Sequence, residues 1–126
     1  MEQIITREYL QENPTHIFVF GDNLLRVGFG GAAKLRDMPN TYGFITKKAP
    51  SYWDNDYYKS DEYLEVYRDE MKKLIHEITN NPSKIYLISK VGAGMANKFH
   101  IWEEIIEPRI KRELTMQNLE NVKFLW

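Results

Sequence analysis

Cysteine is absent from the 126 residues, and neither sign of charge dominates them. Without a thiol, the chain has no disulfide framework, no cysteine nucleophile and no cysteine-ligated zinc site. Lysine and arginine number 17 against 18 acidic residues, and this net charge of -1 argues against broad electrostatic binding of nucleic acid. No apolar run approaches the roughly 18 residues of a membrane-spanning helix. The length and the 43% of hydrophobic residues predict one globular domain over residues 1–126.

Metal-ligand spacing is also missing, because His16, His76 and His100 are scattered along the chain. We therefore expect no metal and no cofactor. Ser89 has no nearby histidine and no nucleophile-elbow pattern, which argues against a serine hydrolase. The first ten residues contain charges and lack the apolar core of a signal peptide, so the expected location is cytoplasmic.

Apolar runs that alternate with segments of helical periodicity indicate the fold class. The predicted strands are residues 17–20, 42–46, 84–91 and 121–126. Three helices are predicted: one that begins at Ala32, one over residues 61–80 that Ser60 caps, and one that Pro108 disturbs. The apolar face of the third helix consists of Trp102, Ile105, Ile106 and Ile110. The runs Ile17–Phe20 and Lys84–Val91 are apolar enough for central strands that are covered on both faces. We predict an α/β fold with three layers, α/β/α, around a mainly parallel central sheet.

Two glycine-rich segments follow the predicted central strands. The first glycine loop is Gly21 to Lys34, and the second glycine loop is Lys90 to Phe99. Glycines allow backbone amides to approach an anion, and the N-terminus of a following helix adds a positive dipole end. Neither spacing matches the dinucleotide fingerprint or the Walker A loop. If the two strands are neighbours, the loops form opposing walls of a cleft that suits a diphosphate; the alternative is two tight structural turns.

Two further features lie near this predicted cleft. Lys47 and Lys48 directly follow a predicted strand, where a lysine can neutralise phosphate or react with a sugar aldehyde. The alternative is a pair of solvated charges. The loop over residues 50–60 contains Tyr52, Trp53 and Tyr57, which either stack on a base as a lid or pack the loop against the body.

Together these segments resemble the macro domain family of ADP-ribose binders, over roughly residues 17 to 126. The residues that match the family's first loop are Asn23, Gly28, Gly30, Gly31 and Ala32. The turn Val91 to Gly94 looks like the second phosphate loop. The order of motifs is most similar to the terminal ADP-ribose protein glycohydrolase branch, in which a strand ending in ITKK precedes a long helix, a glycine turn and a tryptophan-bearing helix. Here those pieces are Ile45–Lys48, residues 61–80, Gly92–Met95 and Trp102.

The resemblance implies an ADP-ribose-like ligand and a set of site residues. By the resemblance, Lys47 corresponds to the family's catalytic lysine, and the catalytic aspartate falls on Ala96, which has no acid or base to offer. The family's adenine-contacting aspartate has no clear equivalent; Asp22 lies elsewhere in the order, and Asp54 or Asp56 are the substitutes. The candidate ligand-binding residues are Asp22, Asn23, Gly28, Gly30, Gly31, Ala32, Gly92, Ala93, Gly94 and Met95.

The expected function is therefore binding of ADP-ribose or a related nucleotide between the two glycine loops, and weak ADP-ribosyl glycohydrolase activity is left open. The expected partner is an ADP-ribose-like small molecule or an ADP-ribosylated macromolecule. The alternative is a non-catalytic α/β protein-interaction module, in which the glycine turns are structural and the aromatic loop contacts another protein.

Overall fold

A four-stranded parallel sheet organises the chain in the computed structural model, which describes residues 2–126. The strands are β1 (His16–Asn23), β2 (Thr41–Lys47), β3 (Ile85–Ile88) and β4 (Val122–Phe124), and the α-helices are α1 (Arg7–Glu12), α2 (Ser60–Thr79) and α3 (Ile110–Met116). The strand order is β2-β1-β3-β4, and all neighbours are parallel. The predicted α/β fold with a mainly parallel sheet is confirmed, and β1 and β3 hold the two central positions. Within the described residues, no helix combines the length and the apolarity needed to cross a membrane.

Alternate side chains of the central strands pack on opposite faces of the sheet. Tyr86 and Ile88 of β3 belong to a large apolar cluster with α2 and α3. Leu87, which lies between them, belongs to a smaller cluster with Leu10 of α1. Since successive strand residues point to opposite faces, α2 and α3 cover one face and α1 covers the other. The result is the expected three layers.

Helix α2 follows the predicted periodicity closely. Its buried apolar residues recur every three or four positions: Tyr63, Tyr67, Met71, Leu74 and Ile78. The expected cap was wrong by one residue, because Lys59 occupies the N-cap position and Ser60 lies inside the helix. The Glu62 carboxylate accepts the Lys59 backbone N–H at 3.2 Å, and the Ser60 hydroxyl instead donates to Glu104 Oε2 at 3.2 Å. The Glu62 N–H in turn donates to the Lys59 carbonyl at 3.1 Å, so the helix begins on a reciprocal contact between these two residues.

The chain beyond the first glycine loop differs from the prediction. The helix expected from Ala32 is only one 3₁₀ turn, Gly31–Ala33. Gly31 has a φ of +53°, and Pro39 follows closely enough to leave little room for a longer helix. In contrast, α1 was not predicted; it begins where the Thr6 hydroxyl accepts the Tyr9 N–H at 3.1 Å.

The segments after β3 also differ from the prediction in length or in helix type. β3 ends at Ile88 because the chain turns at Ser89, whose carbonyl accepts the Val91 N–H at 2.8 Å. The tryptophan-bearing helix is a π-helix, Trp102–Ile106, closed by the Glu107 N–H bonded to the Trp102 carbonyl at 2.7 Å. Pro108 lacks an N–H and interrupts the ladder, so α3 starts only at Ile110. The predicted disturbance at Pro108 is confirmed. β4 covers three of the six residues that were predicted for the last strand.

Candidate functional site

The carboxyl ends of β1 and β3 open onto a cavity of about 270 Å³. The two strands pair in parallel, with Val19 opposite Ile88, so the loops that follow them leave the sheet side by side. The condition under which the two glycine loops share one cleft, that their strands are neighbours, is therefore met. The candidate site residues that line the cavity are Asp22, Asn23, Gly28, Gly30, Gly31, Ala32, Lys47, Gly92, Gly94 and Met95. Ala93, the remaining candidate, lies outside that lining, and its N–H donates to the Lys90 carbonyl at 3.1 Å.

Backbone N–H groups without an internal acceptor are concentrated in both loops. Within residues 2–126, those of Gly28, Phe29, Gly30, Gly31, Ala32, Gly92, Gly94, Met95 and Ala96 donate no hydrogen bond. Such donors are available to an oxyanion. The expected contribution of helix dipoles was wrong, because the helical segments that end the two loops are 3₁₀ turns of three and five residues. The attraction of the loop backbone for phosphate therefore rests on individual N–H groups.

Asp22 and Asn23 line the cavity, but their polar atoms are bonded within the chain. The Asp22 side chain is 2% exposed, and its Oδ2 accepts Arg36 Nη1 at 3.0 Å and Arg26 Nη1 at 3.3 Å. The Asn23 side chain closes the start of the first glycine loop, since its amide donates to the Val27 carbonyl at 2.9 Å. These two residues therefore shape the wall of the cavity.

Lys47 ends β2 and lies in the cavity lining with both glycine loops. Its Nζ donates to the Ser51 carbonyl at 2.8 Å and lies 4.3 Å from the centre of the Tyr57 ring. Burial lowers the pKa of Lys47, against an opposing effect of the Asp56 charge. A lowered pKa enlarges the neutral fraction, which is the form that attacks a carbonyl carbon. Lys48 instead pairs with Glu62, at 2.8 Å between Nζ and Oε1, so of these two lysines only Lys47 lines the cavity.

The aromatic residues of the loop over residues 50–60 do not all behave alike: some pack against the body, and others lie at the cleft or in solvent. Tyr57 is 6% exposed and packs against the body, as the structural alternative expects. Tyr52 is 70% exposed, lines the cavity, and has its ring centre 5.3 Å from Lys47 Nζ. Trp53 is 76% exposed. Tyr52 thus forms an edge of the cleft, whereas Trp53 projects into solvent beside it.

The two loop carboxylates that sequence offered as adenine contacts are both engaged. Asp54 forms an ion pair with Lys98, and Asp56 accepts the Ser51 hydroxyl. Ala96 contributes to the cavity wall and is 8% exposed. The position that resembles the family's catalytic aspartate therefore lies on the cavity wall without an ionisable group.

A family model matches residues 1–98, and it describes a family of unknown function (DUF7831). The chain belongs to this family. No curated protein and no solved structure matches the chain. The part matched to DUF7831 contains β1, β2 and β3 together with every residue that lines the cavity, while the π-helix, α3 and β4 lie beyond it.

Several cavity residues of this DUF7831 chain were not singled out from its sequence. Thr46, Pro50, Ser89 and Lys90 line the cavity but were not among the candidate binding residues. Thr46 ends the predicted second strand, which was the available signal, whereas Ser89 fell inside the predicted strand 84–91. Arg36 was missed as well, although it organises the wall through Asp22. Its contacts are made by loop carbonyls and a carboxylate that are far from it in sequence, so no local pattern indicates them.

Proposed function

We propose that the chain binds ADP-ribose or a related nucleotide diphosphate in the cleft between the two glycine loops. The observation that supports this best is the parallel pairing of β1 and β3, which brings two loops with unbonded N–H groups to one cavity of about 270 Å³. A diphosphate accepts hydrogen bonds on several oxygens, so it matches donors on both walls. The resemblance to the macro domain family supports ADP-ribose as the nucleotide.

Hydrolysis is a weaker part of the proposal. In the enzyme version, Lys47 attacks or electrostatically stabilises the ribose attached to an acidic side chain, and its lowered pKa is consistent with that role. Ala96 provides no general acid or base on the same wall. We therefore propose binding as the main function, in the cytoplasm, with the ligand free or attached to a macromolecule and with hydrolysis slow or absent.

Isothermal titration calorimetry at high micromolar protein tests the binding. We expect heat on addition of ADP-ribose and less affinity for AMP, which lacks the diphosphate. Absence of heat with ADP-ribose, ADP and AMP would contradict the proposal.

A Gly94→Glu variant tests the location of the ligand. A Cβ added at Gly94 meets no atom within 4 Å, so the new side chain has open space, and its carboxylate repels phosphate. We expect this variant to lose binding. Gln117→Glu is the control, because it adds the same charge at an exposed residue that does not line the cavity.

The interaction-module alternative is favoured by exposed apolar side chains near the cleft. They are Leu24, Leu25, Phe29, Tyr52 and Trp53, each 56% or more exposed. Exposed apolar groups of this kind are typical of protein contact sites. This alternative predicts no heat with any of the three nucleotides.

A further inference from the structure

Arg36 is bonded to the first glycine loop from outside the cavity. Its Nε donates to the Gly28 carbonyl at 2.7 Å, and its Nη2 donates to the Val27 carbonyl at 3.2 Å. Val27 and Gly28 line the cavity, whereas Arg36 is not among its lining residues in the described chain. The guanidinium therefore contacts the loop carbonyls without lining the cavity.

Asp22 fixes the guanidinium in this position. Both of its carboxylate oxygens accept hydrogen bonds from Arg36, so the two side chains form a bidentate ion pair. The Arg36 side chain is 15% exposed and that of Asp22 is 2% exposed. The site requires Gly43 on β2, because a Cβ there would collide with the Asp22 carboxylate. Phe20 lies below the guanidinium, with its ring centre 5.4 Å from Cζ. Arg36 is thus held by a buried anion, a ring and two carbonyls.

These bonds determine how two peptide groups of the loop are oriented. In a planar trans peptide, the N–H points opposite to the C=O. The carbonyls of Val27 and Gly28 face Arg36, so the N–H groups of Gly28 and Phe29 face away from it. Neither N–H donates a hydrogen bond within residues 2–126. Gly28 has a φ of +95°, and a glycine in this region can reverse its peptide at little steric cost.

We infer that Arg36, positioned by Asp22, holds these two peptides with their N–H groups toward the cleft and so makes the first glycine loop selective for anions. A reversed peptide would present a carbonyl oxygen to the ligand and repel phosphate. Arg36 is a positioning residue, since it acts through the peptide groups and does not line the cavity. The ligand in this inference is taken from the proposed function, whereas the effect of Arg36 on the conformation of the loop does not depend on that function.

The test compares Arg36→Lys with Arg7→Lys by NMR. Lysine keeps the charge but lacks the planar fork, so it cannot hold Asp22 and both carbonyls together. Arg7 is the matched control, because it forms a bidentate pair with Asp37 at 2.9 Å for each bond, away from the cavity lining. A second variant, Asp22→Asn with Arg36→Gln, removes the buried charge with its partner and avoids an unpaired carboxylate if Arg36→Lys fails to fold.

The first measurement needs no ligand. We expect the ¹⁵N heteronuclear NOE of Gly28 and Phe29 to fall in the Arg36 variants and to stay unchanged in Arg7→Lys. The second measurement titrates inorganic diphosphate and ADP-ribose. In the wild type, the amide protons of Gly28 and Phe29 shift downfield on binding, and in the Arg36 variants this shift is lost and the Kd rises roughly tenfold or more, the effect of about one charge-assisted hydrogen bond.

The outcomes separate the two ideas. If the wild type binds neither compound, the proposed function fails, and the NOE comparison alone decides the positioning role. An unchanged NOE in folded Arg36 variants, or downfield shifts and affinity equal to the wild type, overturns the inference. A general loss of structure would instead alter resonances throughout the sheet, so the localised change at Gly28 and Phe29 is what distinguishes positioning from stability.

Discussion

The ammonium group of Lys47 lies between Tyr52 and Tyr57, and burial there lowers its pKa while the charge of Asp56 raises it. Asp56→Asn should therefore lower the pKa of Lys47 further, because an attraction that favours the charged form is removed. A ¹³C NMR titration of the lysine Cε resonances measures this. Asp54→Asn is the control, since Asp54 pairs with Lys98. An unchanged or raised pKa of Lys47 in Asp56→Asn would show that the Asp56 charge is not the opposing effect.

The lowered pKa also has a consequence for stability. The folded chain releases the Lys47 proton at a lower pH than the unfolded chain, whose lysine has the ordinary value of 10.5. Between the two values the unfolded chain binds more protons, so the contribution of Lys47 to the free energy of unfolding rises with pH in that window. Buried tyrosines such as Tyr63 and Tyr67 have raised pKa values, so their ionisation lowers the free energy of unfolding over the same alkaline range. We therefore expect the free energy of unfolding of Lys47→Met, measured with urea at a series of alkaline pH values, to fall more steeply with pH than that of the wild type. A shallower fall in the variant would contradict the prediction.

Because Ala96 offers no acid or base, we expect slow hydrolysis or none. Loss of a general acid or base reduces a rate by about 100- to 10,000-fold, so the wild type should hydrolyse an ADP-ribosylated acidic side chain slowly or not at all. Any activity should disappear in Lys47→Ala. Ala96→Asp places a carboxylate on the cavity wall and should increase activity. Release of ADP-ribose, followed by chromatography, checks all three proteins. Fast wild-type turnover that Lys47→Ala leaves intact would refute the role of Lys47.

At the scale of elements, α2 covers the outer edge of the sheet. Ile45 of β2 donates its N–H to the buried Glu70 at 2.7 Å and accepts the Tyr63 hydroxyl on its carbonyl at 2.6 Å. Two helix side chains thus bond the backbone N–H and C=O of Ile45, which lies on an edge strand and would otherwise be able to pair with a strand of another chain. This arrangement explains an acidic residue, Glu70, that is only 4% exposed.

Glu70→Leu should destabilise the chain because it leaves the buried Ile45 N–H without an acceptor. The expected loss in the free energy of unfolding is about 1–3 kcal/mol. Glu70→Gln keeps an acceptor oxygen at the same position and should lose much less. Urea unfolding of the two variants measures the difference. Equal losses would mean that the acceptor is not what makes Glu70 stabilising.

Local pattern predicts some elements far better than others. The periodicity of α2 locates the helix to within one residue at each end, because its buried face is continuous over about four turns, from Tyr63 to Ile78. The short α1 shows no comparable pattern and depends on packing of Leu10 with residues distant in sequence. The turn after Gly31 fails as a helix because glycine conformation and nearby Pro39 outweigh the helix-forming residues between them. In this chain a long apolar periodicity therefore predicts a helix correctly, whereas a short run of helix-forming residues does not.

At the scale of the whole molecule, the candidate site depends on which strands become neighbours. The glycines of both loops are visible in the sequence, but only the order β2-β1-β3-β4 places them on one cavity. The roles of Asp22 and Arg36 come from contacts across 14 positions in the chain, which spacing does not reveal. The sequence thus predicts the location of the cleft, while the support of its walls requires the structure.

Occupation of the cleft is linked to the stability of the whole chain, and this gives the last prediction. A ligand at about 100 times its Kd raises the free energy of unfolding by roughly 2.7 kcal/mol, which corresponds to about 10 °C in Tm for a chain of this size. We expect ADP-ribose to produce such a shift in the wild type and none in Gly30→Glu. Gly30 has φ -82° and ψ 148°, which any residue adopts, and an added Cβ meets no atom within 4 Å.

The ligand-free Tm of Gly30→Glu should therefore remain close to that of the wild type, because the substitution fills open space at the cavity and strains no backbone. Differential scanning calorimetry of both proteins, with and without ADP-ribose, separates the two effects. An equal ligand-induced shift in both proteins would mean that ADP-ribose binds away from the glycine loops, since a carboxylate at Gly30 repels a phosphate only within short range in salt.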